Sequence, residues 1–511
     1  MRTTPMTARR AAAERLRWLA SIAFAVAATT QAQTPAPQDP LAVLENGLRP
    51  SLIAPNEAVP RWSLAERMRH YKVPGVAVAV LKDGKVVRAA GYGVREVGTQ
   101  DKVDADTLFS VGSISKVATA TTTLRLVAQG KLDLDRNVDD YLKRWKLPAS
   151  KEVPQPNVSL RMLMSHTAGL GVHGFEDYQP GEPLPTLVQV LEGQKPAKGE
   201  AVRFKHAPGS VMDYSGGGIT VEEVALEDAT GKPFRRLAEE LVFVPLGMRR
   251  STFESPLSPA RGNIAKAHDG EGRPVALPRG WQTFAETGAS GLWTSANDLG
   301  KLVGGLIDSY QGRGDFLPQA LTVQMMTEVS PGTFGLGPSL SGSGRGRFFS
   351  HGGANESYLA FMEGYPETGD GFVILTNGSN GGHLHSEIRN ALADAIGLGA
   401  HPLVRAVAPR GPLPQDYAGS YRLDAAVPMD LRRALADNFD YPSFRVNVAG
   451  VKAEIMLPGQ DKPQALQPLG ATKFAYGSLI VFDFHRDAWG AVRSVSVSMP
   501  EKGAVAYYVR E

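Results

Sequence analysis

Ser113 and Lys116 stand three residues apart in Thr107-Leu108-Phe109-Ser110-Val111-Gly112-Ser113-Ile114-Ser115-Lys116-Val117-Ala118. A glycine precedes the serine and an Ala/Thr-rich helical pattern follows, which places Ser113 at a helix N-terminus with Lys116 on the same face one turn on. A serine hydroxyl is a weak nucleophile until a neighbouring base takes its proton. A lysine becomes such a base when burial or nearby positive charge lowers its pKa. Backbone N–H groups at a helix start stabilise the oxyanion that forms on an attacked carbonyl. Ser-x-x-Lys alone is a short string that chance can supply, and its plain reading is a helix cap followed by a solvated lysine.

Three further stretches change that balance. They are Pro208-Gly209-Ser210-Val211-Met212-Asp213-Tyr214-Ser215-Gly216-Gly217-Gly218, Phe349-Ser350-His351-Gly352-Gly353-Ala354-Asn355, and Met162-Leu163-Met164-Ser165-His166-Thr167-Ala168-Gly169-Leu170. Taken singly each has a structural reading: Tyr214 as a packed strand-end aromatic, and His166 as a hydrogen-bonder in the fold. The triple glycine has no following Lys-Ser/Thr and is not a phosphate loop. His383 and His385 have no second ligand pair at metal-binding spacing. No Gly-x-Ser-x-Gly occurs, which argues against an α/β-hydrolase.

Taken together and in this order, these stretches resemble the serine β-lactamase and penicillin-binding-protein superfamily, in its class C-like branch of esterases, D-amino-peptide hydrolases and β-lactamases (peptidase S12-like). The resemblance covers residues about 60–398 and includes Pro245-Leu246-Gly247-Met248 and Gly291-Leu292-Trp293-Thr294-Ser295-Ala296-Asn297-Asp298-Leu299. It implies that Ser113 is the acylated nucleophile, Lys116 its partner base and Tyr214 the proton shuttle of the second motif. It further implies that His351 and Gly353 belong to the third motif, and that the Ala354 N–H joins that of Ser113 in an oxyanion hole. Two positions depart from the pattern. Gly216 stands where the second motif usually has Asn, and His351 stands where β-lactamases and DD-peptidases have Lys. The His-x-Gly form is common in the esterase-like members.

The elements that must position these residues are legible in outline. Ser63 and Glu66 form a capping box, so a helix begins near Ser63. Two strand-like runs, 75–81 and 85–90, flank the hairpin signal Asp83-Gly84. Helical patterns follow the Ser113 segment at 160–166, 220–230, 234–243, 296–308 and 385–396, with strands at 347–350, 357–363 and 371–376. The order predicts an α+β fold, an antiparallel sheet flanked by helices with an inserted helical region; the resemblance implies a three-layer α/β/α arrangement. Pro402, Pro409, Pro412 and Pro414 suggest a linker over 401–414. Strand candidates at 441–447, 451–457, 478–484, 491–498 and 503–509 then predict a small β-barrel over 415–511.

The amino terminus reads as a secretory signal over 1–32: five Arg, an uncharged apolar run from Trp18 to Thr30, and small residues around Thr30-Gln31-Ala32. The apolar run is shorter than the ~20 residues a membrane span needs. Residues 33–60, rich in Pro, Ala and Gln, read as a linker leading into a hydrolase domain over 61–400. The leader carries +4 (five Arg, one Glu) of the net +3, leaving −1 for the rest, so nothing suggests a nucleic-acid surface. Cysteine is absent, so disulfides and thiol chemistry are excluded.

The expectation is therefore a periplasmic or secreted serine hydrolase needing no cofactor or metal. Its partner is a small-molecule ester, lactam or D-amino-peptide substrate, with membrane contact only if the leader stays uncleaved. A true β-lactamase, a D-alanyl-D-alanine carboxypeptidase or a D-aminopeptidase is the alternative within the enzymes. A non-hydrolytic penicillin- or peptidoglycan-binding protein is the alternative outside them.

Overall fold

The computed structural model describes residues 39–511 apart from 425, 427–434, 436–438, 440, 478–479 and 500–503. The signal-peptide expectation for 1–32, the first residues of the 33–60 linker and the starts of the strand candidates at 478–484 and 503–509 fall outside the described residues.

A six-stranded antiparallel sheet organises the larger part of the chain. Its order is Lys85–Gly93, Gly75–Lys82, Gly371–Thr376, Tyr358–Gly364, Phe348–Asn355 and Ser339–Ser341. The first two strands are joined at Asp83-Gly84, both with positive φ (51° and 72°), as that hairpin signal demands. The strand Gly75–Lys82 shows why there are three layers. Successive side chains point to opposite faces. Ala77, Ala79 and Leu81 join one hydrophobic core, while Val76, Val78 and Val80 join another. Both faces are therefore covered, which explains an unbroken apolar run rather than an alternating one.

The first core lies against helices Ser115–Ala128, Gly216–Thr230 and Ala296–Tyr310. The second packs under Leu64–Tyr71 and Gly381–Ile396. Full burial of one such Val or Leu contributes roughly 1.5–3 kcal/mol. The Ser63 cap forms as read: its hydroxyl accepts from Glu66 N while the Glu66 carboxylate accepts from Ser63 N.

The two proposed linkers are more structured than their composition suggests. Leu41, Leu44 and Leu48 are buried in the second core, and Arg49, 3% exposed, forms a bidentate pair with Asp394 (2.6 and 2.5 Å). Leu52–Ile53 pairs in parallel with Val404–Arg405, so the segments before and after the hydrolase region meet in a short two-stranded sheet. Proline and alanine content masked the Leu41/Leu44/Leu48 spacing, which is that of one apolar face.

From Gly419 the chain forms a closed barrel of eight strands, sealed by pairing of Gly419–Leu423 with Ala504–Arg510. Tyr421, Phe444, Phe474, Phe482 and Tyr508 fill a core of its own. The strands Gly419–Leu423, Gln464–Pro468 and Lys473–Tyr476 have no counterpart in the sequence reading. They are short, and Gln464–Pro468 has no β-branched residue, so pairing with neighbours rather than propensity holds them.

Candidate active site

Ser113 lies in a turn of 3₁₀ helix, Gly112–Ile114, that runs directly into the helix Ser115–Ala128. Its neighbours lock that turn in place. Ser115 Oγ donates to Gly112 O (2.6 Å) and accepts from Leu292 N (2.9 Å). Gly112 has φ of 48°, and a Cβ there would sit 2.7 Å from Ala354 N. A Cβ on Gly353 would sit 1.9 Å from Val111 O. Glycine at both positions lets the strand Phe348–Asn355 press against the Ser113 turn, bringing the Ala354 backbone beside it. Asn355 fastens the end of that strand, donating to Ser110 Oγ (2.6 Å) and Ser290 O (3.0 Å).

Lys116 is 2% exposed. Its Nζ donates to Ser113 Oγ (3.0 Å) and to Ala289 O (2.8 Å). Burial brings its pKa from the usual 10.5 down to about 7. An amine neutral for half the time at pH 7, in contact with a hydroxyl, can take that hydroxyl's proton. The Ala289 carbonyl is fixed from below. Glu223 accepts from Thr287 Oγ and from Gly288 N (2.8 Å), and Thr119 Oγ donates to Gly288 O (2.7 Å). Glu223 is itself buried, which pushes its carboxyl up to about 8.

Tyr214 packs its ring 5.0 Å from Lys116 Nζ and 4.3 Å from the ring of His166. The following Ser215 caps the helix Gly216–Thr230 by accepting from Gly218 N (2.8 Å). The triple glycine is thus the first turn of a helix. A Cβ at Gly216 would lie 2.9 Å from the Phe175 ring and 3.0 Å from His173 O. The loop carrying His173 and Phe175 covers the place an Asn side chain would take, which accounts for the departure from the usual second motif.

His351 is 6% exposed, and burial followed by the nearby Lys116 charge lowers its pKa to about 4. Its Nδ1 lies 2.6 Å from Gly352 O, which can only accept, so Nδ1 carries the hydrogen and Nε2 presents a lone pair. No described residue satisfies that Nε2. His166 has the opposite tautomer. Its Nδ1 accepts from Ser215 N (3.2 Å), leaving Nε2 protonated, and burial first, then the charges of Lys116, His351 and His173, hold its pKa well below the usual value. A cavity of about 930 Å³ joins Ser113, Lys116, Tyr214, His351, Gly353 and Ala354. All six residues singled out from sequence therefore meet in one place. Ala289, Glu223 and Asn355 were not singled out; a backbone carbonyl and buried carboxylate or amide anchors carry no motif of their own.

The β-lactamase family model matches residues 63–396. The chain belongs to the β-lactamase family. Among relatives in that family, it is 29% identical to esterase EstB of Burkholderia gladioli over 300 residues, covering 53% of this chain and 73% of that one. It is 30% identical to a β-lactamase of Pseudomonas fluorescens over 234 residues, covering 45% of this chain but 59% of that relative's length. The fold is shared with the octameric penicillin-binding protein homologue from Pyrococcus abyssi (TM-score 0.55, 19% identity), over 88% of this chain and 98% of that one. That span exceeds what the family segment alone supplies, so the likeness takes in part of the barrel region.

Proposed function

We propose that the chain is an exported serine hydrolase that cleaves ester or amide bonds through an acyl-enzyme on Ser113. The observation that carries this reading is the buried Lys116 amine, 3.0 Å from Ser113 Oγ and poised at about pH 7. Lys116 takes the hydroxyl proton as Oγ attacks the carbonyl carbon. The Ser113 and Ala354 N–H groups receive the oxyanion. Tyr214, over the lysine, passes the proton to the leaving group, and water then releases the acid.

His351 supports an esterase or amidase over a penicillin hydrolase. A lysine at this position would offer an ammonium to a substrate carboxylate, whereas the neutral His351 presents an acceptor at Nε2. Among the described residues no helix is long and apolar enough to cross a membrane; a periplasmic or secreted setting is proposed from the leader.

A panel of short-chain esters, D-amino-acid amides, D-alanyl peptides and benzylpenicillin, run with the chain and its Ser113→Ala variant, tests the reading. Turnover of esters or uncharged amides that is lost in Ser113→Ala is expected. A stable Ser113 adduct without turnover would replace the enzyme with a non-hydrolytic binder. Turnover that survives Ser113→Ala would remove the proposal.

A further inference from the structure

The acidic wall of the active-site cleft is not used by the chemistry above. Glu176, Asp177 and Glu356 line the same cavity as Ser113. Glu356 lies two residues beyond Ala354, in the turn that ends its strand. Asp177 comes from the loop that also carries His173, whose ring is 4.9 Å from that of Tyr214. The acidic wall therefore flanks the reacting centre.

We propose that the cleft selects substrates carrying a cationic ammonium group close to the scissile carbonyl. This rests on the hydrolase reading and names its substrate class.

Three observations carry it. First, the carboxylates are close enough to repel. Burial, and then the charge of Glu356, pushes the Asp177 carboxyl up to about 6 against the opposing charge of Lys198, and a bound cation offsets the repulsion. Second, the cations of the same cavity are engaged or turned away. Lys198 Nζ is held by Glu182 (2.8 Å) and by the Asp177 carbonyl (2.7 Å). Arg389 lies over Phe361 (5.7 Å). Phe361 pairs with Gly352 and Met362 with His351, so Phe361 and Arg389 face the side of the sheet opposite to His351. Third, a buried acceptor on a second element of the cleft, His351 Nε2, has no partner among the described residues; the other unpartnered atom of the lining, Arg389 Nε, belongs to the side chain on the opposite side of the sheet. The His351 lone pair favours a ligand that brings positive charge over one that brings an anion. An anionic substrate meets the carboxylate wall and finds no hydrogen to accept at His351.

The test uses two pairs of isosteric substrates with the full chain. On the acyl side these are 4-nitrophenyl 4-(trimethylammonio)butanoate and its uncharged twin 4-nitrophenyl 5,5-dimethylhexanoate. On the leaving-group side they are acetylthiocholine and 3,3-dimethylbutyl thioacetate. Rates are normalised to buffer hydrolysis. In at least one pair kcat/KM for the cation should exceed that of its twin by about tenfold or more. The ratio should fall as salt rises from about 0.02 to about 0.5 M. It should fall again in the Asp177→Asn, Glu356→Gln double variant.

Equal kcat/KM within both pairs, with Ser113-dependent turnover of the neutral esters intact, overturns this inference and leaves the hydrolase reading standing. A cation preference that the double variant retains in full also overturns it, because the interacting Asp177 and Glu356 carboxylates are then not its source. Absence of Ser113-dependent turnover of every ester, neutral ones included, removes the hydrolase reading and this inference with it.

Discussion

The pH dependence of acylation follows from the burial of one amine. Lys116 must be neutral to accept the Ser113 proton, so activity rises with pH through its pKa. An exposed lysine with pKa ~10.4 is neutral in only about one molecule in 2,500 at pH 7. With its pKa at about 7, Lys116 is neutral in half of them. Burial thus raises the competent fraction by about 10³. For an ester that does not itself titrate, kcat/KM should climb about tenfold per pH unit below pH 6. It should bend near pH 7 and level off above pH 8. His351 (about 4) stays neutral across that range and adds no break, and burial holds His166 well below the usual imidazole value. Asp177 (about 6) and the buried Glu286 (about 7), Glu222 and Glu223 (both about 8) also titrate there, so assignment needs a second perturbation. His351→Lys places another cation by Lys116 and should move the bend to lower pH. Asp177→Asn and Glu286→Gln should leave it in place. Stopped-flow or steady-state rates from pH 5 to 9 in a constant-ionic-strength buffer decide the matter. A flat profile down to pH 5, or a bend that disappears in Glu286→Gln, would refute Lys116 as the base.

The remaining predictions concern the parts that support this chemistry. His351→Lys should raise benzylpenicillin kcat/KM about tenfold relative to a short-chain ester, the gap between a charge-assisted and a neutral hydrogen bond, measured by parallel assays. Glu223 is a positioning residue acting through Gly288 and Ala289 on Lys116: Glu223→Ala should lower kcat about 10–100-fold with KM within about twofold, while Glu223→Gln, which can still bond Thr287 and Gly288, should recover most of the loss. Truncation after Arg410 should leave a hydrolase region that melts cooperatively, because the barrel keeps its own core and the Leu52–Val404 pairing stays on the retained side; loss of cooperative melting by calorimetry would show that the barrel is part of one folding unit.

Much of the site was legible in the sequence because its parts are local. Ser113 and Lys116 are one helical turn apart, so type and spacing already suggest a nucleophile and its base, whereas Tyr214, His351, Gly353 and Ala354 are named by the family resemblance, the expected strand ending at 350 where the observed one runs to Asn355. The Asp83-Gly84 hairpin, the Ser63 cap and the long apolar helices were legible for the same reason. What escaped was contact between segments distant in the chain. Glu223 reaches the 287–290 turn across 65 residues of sequence, and its burial looks in one dimension like an ordinary surface glutamate. The absence of Asn at Gly216 became intelligible only with the Phe175 loop seated over it. The short barrel strands were missed because closure of the barrel, not local propensity, makes them strands. The packed Leu41–Leu48 segment was hidden in a proline-rich run that composition alone assigns to a linker.

The central claim is that Ser113 Oγ is the atom that becomes acylated. Intact-mass analysis and peptide mapping after treatment with a fluorophosphonate test it most directly. One adduct per chain is expected, on Ser113, formed faster as pH rises through about 7 and abolished in Ser113→Ala. An adduct on Ser115, or undiminished labelling of Ser113→Ala, would contradict it.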